Sequence, residues 1–237
     1  VFTQSFGRSI NAAIDEDFHG DLQVIGGGFG FPSLGPDLVD DLAARPEVAA
    51  VTGVQRGTIA IEGETKAVYG VRFDAVPTIY DLGETEGDIA ALGPDQVAID
   101  RVTADERGLG VGDALQVVFP SGEPGVLTVG AVYDDGGIIA QNADGHFLVS
   151  DQVFRDHFPG TGQLVQRIEV KAADGVSVEE LRTVVEDVIV DYPAAEVRDV
   201  GQIKDENNRQ LQFSLAIFFA LLGLALVIGA LGIAITL

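Results

Sequence analysis

The chain has 237 residues, enough for one large hydrophobic core or two small ones. Its 37 acidic and 14 Lys or Arg residues give a formal net charge of −23; such a surface repels phosphate backbones, which excludes nucleic acid as a partner. Cysteine is absent, which excludes disulfides, thiolate metal sites and cysteine nucleophiles and suits an oxidising, extracytoplasmic setting. Methionine is also absent, which indicates a processed chain or a piece of a longer protein. The acidity has a second interpretation, because a salt-adapted or high-GC source gives this composition whatever the function.

A long uncharged segment stands at the C-terminal end. Residues 211–237 are 27 residues without a charged side chain. A helix of that length measures about 40 Å, more than the roughly 30 Å hydrocarbon core of a bilayer. We predict a transmembrane helix at 211–237, preceded by a polar, hydrated stalk at 202–210. Because the segment has no ionisable side chain, it provides no proton relay, ion site or gating charge.

The first part of the chain predicts alternating helices and strands. Aromatic and aliphatic residues spaced by four from Phe2 to Phe18 predict a membrane-proximal helix within residues 1–20. It is either the end of a preceding transmembrane helix or an amphipathic helix packed on the domain. The pattern then predicts a strand at 21–26, a helix between Pro36 and Pro46, a long strand at 48–61 and its hairpin partner at 66–72.

Residues 73–161 change character, with short apolar runs between Gly, Asp and Pro turns. They predict a compact insert with strands at 96–100, 114–119, 126–133 and 146–149, and short helices at 103–107 and 151–157.

After the insert a strand is predicted at 165–171. The capping box of Ser177 and Glu180 then starts a helix that Pro193 ends, and a last strand follows at 195–200.

A strand–helix–strand unit thus stands on either side of the insert. Two such units paired edge to edge make a ferredoxin-like sandwich. The predicted fold class is α+β: a split ferredoxin-like α/β lobe from 21–72 and 162–201, an inserted β-rich lobe at 73–161, and the transmembrane helix.

Two glycine-rich stretches are candidates for a nucleotide site. The first, at 26–30, lacks the GxGxxG spacing and is not followed at once by a helix start. It predicts a flexible surface loop, with partner contact through Phe29 and Phe31 as the alternative. The second, at 108–113, lacks the GK[ST] ending of a phosphate loop and predicts a tight turn. No lysine follows a glycine anywhere in the chain, so the sequence has no Walker A motif.

The sequence also offers little for a metal site. The histidines (His19, His146 and His157) never form HxH or HxxxH. Asp144 with His146, or Asp134 with Asp135, is a candidate cation site, with solvated turn carboxylates as the preferred interpretation.

Catalytic motifs are missing as well. No GxSxG elbow is present, and the acid pairs Glu179-Glu180 and Asp40-Asp41 stand on predicted helix surfaces, where solvated carboxylates are usual. We therefore assign no catalytic, cofactor-binding or metal-binding residue and expect no enzyme activity and no cofactor in this chain.

Six landmarks in order carry a family resemblance. They are DFHGDLQV at 17–24, the V-x-x-V-x-G step at 48–53, RGLGVGDALQVVF at 107–119, LTVGAVYDDG at 127–136, HFLVS at 146–150 and LGLALVIGALGIAITL at 222–237. Together they resemble a MacB-type periplasmic core domain joined to the first core membrane helix of an FtsX-like ABC transporter permease. The resemblance extends over essentially all of the chain.

The resemblance implies a porter-like α/β lobe and an inserted β-rich lobe, with residues 1–210 outside the cell membrane. It implies mechanotransmission: a cytoplasmic ABC ATPase subunit hydrolyses ATP, and a pair of permease copies or halves in the bilayer moves the external domains. The external partner is a protein or a lipophilic substrate. The alternative function is a membrane-anchored sensor or adaptor that regulates a partner such as a cell-wall hydrolase. A membrane-anchored enzyme ranks third.

Overall fold

The structure is a computed structural model that describes residues 17–26, 34–134 and 147–236. Of these described residues, those up to Val200 form one compact unit, and residues 201–236 belong to another. Most of the helix predicted within 1–20 and the glycine-rich loop through Phe29 and Phe31 lie outside the described residues. The strands are β1 Leu22–Gly26, β2 Val48–Ile61, β3 Glu64–Val71, β4 Thr85–Glu86, β5 Gln96–Asp100, β6 Ala114–Val118, β7 Pro124–Tyr133, β8 Phe147–Ser150, β9 Arg167–Ala172 and β10 Ala195–Asp199. The α-helices are α1 Asp37–Ala43, α2 Val76–Ile79, α3 Arg101–Arg107, α4 Asp151–His157, α5 Val178–Ile189 and α6 Val200–Thr236.

Four strands form a ferredoxin-like sheet in the order β10-β1-β9-β2, with every neighbouring pair antiparallel. The two strand–helix–strand units therefore interleave, which corrects the expected edge-to-edge pairing. The physical reason is that each crossover through a helix leaves room for one strand between the two strands that it connects. β9 occupies the place between β1 and β2, and β1 occupies the place between β9 and β10.

Helices α1 and α5 bury their apolar residues on one face of this sheet. In α5 the hydroxyl of Ser177 accepts a hydrogen bond from the backbone N–H of Glu180 at 3.2 Å, as the capping box predicts. α5 ends at Ile189 and α1 at Ala43, each a few residues before the proline that was expected to end it. The core between the helices and the sheet consists of Leu22, Val24, Leu34, Leu38, Val39, Leu42, Val51, Val165, Ile168, Val170, Leu181, Val185 and Val188.

The long strand β2 changes partners along its length. Up to Val54 it pairs with β9 of the ferredoxin-like sheet, and from Gln55 it pairs with β3. The β2–β3 hairpin turns at Glu62 and Gly63, whose φ angles of 52° and 86° are both positive. Two positive φ values match the twist of a tight hairpin and explain a glycine at the second position.

The second half of β2 belongs to a closed barrel. Around it the order is β2-β3-β8-β5-β7-β6, and β6 pairs with β2 again to complete the circle. Closure pairs the strand edges that an open sheet would leave exposed. The buried hydrophobic cluster inside the barrel contains Ile59 and Ile61 of β2, Val68 of β3 and further residues of the insert. The lobe bounds at residues 73 and 161 stay a prediction.

Helix α6 runs continuously from Val200 to Thr236. Six of its large apolar side chains, Phe213, Ile217, Phe218, Leu221, Leu222 and Ile228, are exposed within the chain. Among the residues described here, no helix meets the length and apolarity that crossing a membrane demands. The transmembrane segment at 211–237 stays a prediction.

Candidate functional site

The glycine-rich stretch at 108–113 is a tight turn, as predicted. Gly108 (φ 65°) ends α3 in the left-handed region, where glycine is favoured. The N–H of Gly110 donates to Asp113 Oδ2 at 2.8 Å, and the chain then enters β6 at Ala114. This hydrogen bond stabilises the turn. Residues 108–113 include no lysine that could bind a phosphate.

The candidate metal ligands that the structure describes do not come together. His157 stacks on Phe119, with ring centroids 3.9 Å apart, and its Nδ1 lies 3.4 Å from Glu123 Oε2. Asp134 is ion-paired with Arg101, which donates from Nε to Asp134 Oδ1. Within the described ranges no three His, Asp or Glu side chains are placed to hold a metal ion. Asp135, Asp144 and His146 lie outside those ranges.

The acid pairs have structural contacts. Asp40 is ion-paired with Arg72, and Asp41 Oδ2 accepts a hydrogen bond from the Tyr192 hydroxyl at 2.9 Å. That hydrogen bond to the carboxylate raises the pKa of Tyr192. Glu179 and Glu180 are exposed on the first turn of α5. These carboxylates join helices to neighbouring elements or face solvent.

A buried charged cluster, which the sequence did not indicate, lies on the other face of the ferredoxin-like sheet. Glu169 is 1% exposed, and its Oε1 accepts from Gln23 Nε2 at 3.0 Å and from Arg167 Nε at 2.7 Å. Helix α2 packs against β2 and β9, and the chain after it brings in Tyr80, which is 2% exposed. The Tyr80 hydroxyl and Glu169 Oε2 have no hydrogen bond of normal geometry among the described residues. Both groups interact electrostatically with Arg167 and with each other.

Burial governs protonation in this charged cluster. It raises the pKa of Glu169, and the opposing effects of Arg167 and Gln23 offset only part of that change. Burial also raises the pKa of Tyr80 well above its ordinary value, and the charge on Glu169 raises it further, so the hydroxyl keeps its proton. Because both acidic groups are closed from solvent, a substrate cannot reach them. The cluster fastens the segment around Tyr80 to the sheet.

An open groove of about 310 Å³ is lined by Arg72, Phe73, Ser150, Asp151 and Arg155, among others. Asp151 Oδ2 lies 2.8 Å from Arg155 Nη1 and 3.5 Å from Arg72 Nε. Arg72 is also paired with Asp40. Since carboxylates already neutralise both guanidinium groups, the groove gives no particular preference to an anionic ligand.

One family model matches this chain, and several solved structures have a similar fold. The family model described as "MacB-like periplasmic core domain" matches residues 1–188. The crystal structure of the periplasmic region of MacB from Actinobacillus actinomycetemcomitans superposes with a TM-score of 0.58 at 14% sequence identity, covering 81% of this chain and 94% of that one. The extracellular domain of the noncanonic ABC-type transporter YknZ from Gram-positive bacteria gives a TM-score of 0.49 at 13% identity, covering 75% of this chain and 99% of that one. No curated protein matches the chain.

Proposed function

The chain belongs to the family of MacB-like periplasmic core domains, and from that membership we propose that it is the extracytoplasmic part of an ABC transporter permease that transmits ATP-driven movement to an external substrate or partner. In this proposal residues 1–210 lie outside the plasma membrane and residues 211–237 enter it. ATP hydrolysis belongs to a separate cytoplasmic subunit, and a second permease copy or half completes the assembly.

The observation that carries the mechanical role is the direct connection between a sheet and a long helix. β10 ends at Asp199 and α6 begins at Val200, so no loop residue stands between them. β10 is hydrogen-bonded along its length to β1, from Leu22↔Asp199 to Gly26↔Ala195. In this proposal a displacement of α6 passes to a paired strand of the sheet without an intervening loop.

The chemistry of the chain supports a transmitting role over ion-coupled transport. Residues 211–237 contain no ionisable side chain, so they offer no charged path through the bilayer. The chain has no phosphate loop with a lysine. Several of the described carboxylates are engaged with arginines, as in the pairs Arg101–Asp134 and Arg167–Glu169. Each of these features favours a domain that transmits movement and does not catalyse a reaction.

The first test is topology. These 237 residues contain no cysteine, so Glu123→Cys in the full-length protein, with any cysteine outside these residues replaced by serine, creates one labelling site. Glu123 is 64% exposed. We expect an impermeant thiol reagent to label this variant in intact cells. A matched Leu237→Cys variant should be labelled only after lysis, because the proposal places that residue at the cytoplasmic end. Labelling of Glu123→Cys only after lysis would refute the proposed orientation.

The second test is the stiffness of the connection. Inserting Gly-Gly-Ser after Gln202 interrupts α6, because each glycine lowers helix stability by about 1 kcal/mol relative to Ala. We expect the ATPase of the reconstituted transporter to keep turning over while the external domain stops responding. The measurement is the ATP-dependent change in distance between spin labels at Glu123→Cys on the two copies.

A seven-residue helical insertion at the same place is the matched control for this second test. It adds length but nearly preserves the helical phase and the stiffness, so the response should remain. An unchanged distance response in the Gly-Gly-Ser variant would make α6 a tether and would favour the sensor or adaptor function.

A further inference from the structure

The ferredoxin-like lobe (the sheet β10-β1-β9-β2 with α1 and α5) and the barrel lobe have separate hydrophobic cores. The first core contains residues such as Leu38 and Val170, and the second contains residues such as Ile59 and Phe147. Among the described residues the two buried clusters share no member. Because each core is close-packed, a movement between the two lobes disturbs less packing than a movement within either of them.

Strand β2 crosses from one lobe to the other between Val54 and Gln55. It pairs with β9 up to Val54 and with β3 from Gln55 onward. In the described part of the chain no strand pairs with β2 on both sides of this step. A bend of β2 between Val54 and Gln55 therefore leaves both ladders of hydrogen bonds intact, as a hinge requires.

On the face of the sheet that carries the charged cluster, the lobes are joined by buried groups. Tyr80 and Glu169 are 2% and 1% exposed. Two residues after Tyr80, the carbonyl of Leu82 accepts a hydrogen bond from the N–H of Asp134, just after the barrel strand β7, at 3.1 Å. Separating a buried ion pair leaves an uncompensated charge and is costly. The lobes are therefore firmly held together on this face.

On the side of α1 the lobes are joined by ion pairs at the surface. Arg72 directly follows β3, its guanidinium is ion-paired with Asp40 of α1, and its Nε lies 3.5 Å from Asp151 Oδ2 at the start of α4. We call Asp40, Arg72 and Asp151 the ionic chain. The side chain of Asp40 is 63% exposed and Arg72 lines the open groove, so water and salt reach the ionic chain. Exposed ion pairs of this kind are weak.

A strand that bends, a firm contact on one face and a weak contact on the other together define a hinged domain. We propose that the barrel lobe tilts away from α1 by a bend of β2 at Val54 and Gln55, and that the ionic chain is the latch that opposes this tilt. The latch opens when one ion pair breaks, while the charged cluster around Glu169 stays closed and serves as the pivot. The inference goes beyond the proposed function, because the tilt takes place within one copy and needs no ATP.

Distances between two spin labels in one copy measure the tilt. Val178→Cys on α5 and Val126→Cys on β7 place one label on each lobe, at side chains that are 42% and 49% exposed. The full-length protein, with any cysteine outside these residues replaced by serine, is studied in lipid nanodiscs without nucleotide. An excess of unlabelled chain ensures that an assembly holds at most one labelled copy. Because α5 and α1 lie on the same face of the sheet, opening of the latch should lengthen the distance.

Two substitutions open the latch at different points. Arg72→Met removes the middle of the ionic chain, and Asp40→Asn removes the charge at one end. Each should raise the ratio of longer to shorter distances by about twofold to fivefold, the usual effect of losing an exposed ion pair. Asp40→Asn changes an exposed side chain, so it tests the latch even where Arg72→Met folds poorly. Arg155→Met is the matched control and should change nothing, because Arg155 pairs with Asp151 within α4, 2.8 Å away, and does not link the lobes.

Salt gives a readout that a purely structural role of Arg72 would not change. The Debye length falls from about 10 Å at 0.1 M to about 3 Å at 1 M ionic strength. High salt should therefore lengthen the wild-type distance as Arg72→Met does, and should add little in that variant. Wild-type distances in both Arg72→Met and Asp40→Asn would overturn the inference. The same shift in Arg155→Met, or equal salt effects with and without Arg72, would overturn the latch too. Each of these results leaves the proposed function intact, since no step of the test depends on ATP.

Discussion

Replacing Arg167 with Met is expected to lower the free energy of unfolding by about 3–5 kcal/mol, because it leaves a buried carboxylate without its cation. Glu169 is 1% exposed, and Arg167 Nε donates to its Oε1 at 2.7 Å. Methionine is close to the aliphatic part of arginine in length, so the loss is one of charge and hydrogen bonding more than of packing. Chemical denaturation of the wild-type and substituted proteins measures the effect.

The destabilisation should depend on pH with a definite sign. Burial already raises the folded-state pKa of Glu169 above the ordinary value of 4.5, and Arg167 is the strongest influence that lowers it. Without Arg167 the pKa rises further. A group with a raised folded-state pKa contributes its stability below the unfolded pKa and loses it as the pH rises through the folded pKa. The difference from the wild type should therefore be small near pH 4 and grow toward neutral pH.

A double variant identifies the source of the loss. Adding Glu169→Gln to Arg167→Met removes the unpaired charge and keeps an oxygen that accepts from Gln23 Nε2. We expect the double variant to recover much of the lost stability and to lose most of the pH dependence. If the double variant were no more stable than Arg167→Met alone, the cost would come from packing around Arg167 and not from the isolated carboxylate.

Replacing Phe154 with Ala is expected to cost about 3–5 kcal/mol, the usual range for truncating a buried aromatic side chain. Phe154 is fully buried and stacks on Phe158 with ring centroids 4.1 Å apart. Phe154 belongs to α4, and Phe158 directly follows that helix. Their rings lie over Gly57 of β2 and Gly70 of β3. Truncation leaves a cavity against a backbone that has no side chain to fill it. The midpoint of urea unfolding reports the loss.

The glycines under those rings allow a test of this packing between ring and backbone. A methyl group on Gly70 would lie 2.5 Å from Phe154 Cδ2, so Gly70→Ala should cost about 1–3 kcal/mol by overpacking. In the Phe154→Ala background that cost should fall, because the clashing ring is gone and only Gln55 Oε1, at 2.9 Å, stays close to the methyl group. Gly35→Ala is the control, since a methyl group there meets nothing within 4 Å, and it should be nearly neutral. Strictly additive effects of Phe154→Ala and Gly70→Ala would contradict the proposed contact.

Several elements could be predicted from the sequence because their signals are local. The β-branched run at 48–61 became the single strand β2 with the predicted bounds, and α4 likewise begins at Asp151 and ends at His157 as expected. Ser177 accepts its hydrogen bond three residues along the chain, within one helical turn. The family was also within reach, because five of the six ordered landmarks lie within residues 1–188, which the model of the MacB-like periplasmic core domain matches.

Long-range pairing was decided only in the tertiary structure. That β9 fills the gap between β1 and β2, and that β6 returns to β2 to close a barrel, depends on contacts between distant residues such as Ile61 and Val117. The apolar pattern of a strand says which side is buried but does not name its neighbour. The change of partners within β2 at Val54 has no local signal either.

The burial of the charged cluster likewise could not be predicted from the sequence. In the strand RIEVKA, Arg167 and Glu169 alternate with Ile168 and Val170, a pattern typical of a strand with one face in water. Their face is buried because the segment from α2 to Tyr80 crosses over it. The sequence by itself determined the local elements, the lack of catalytic motifs and the family. Only tertiary packing decided which polar residues leave water, because burial depends on a covering segment about ninety residues earlier in the chain.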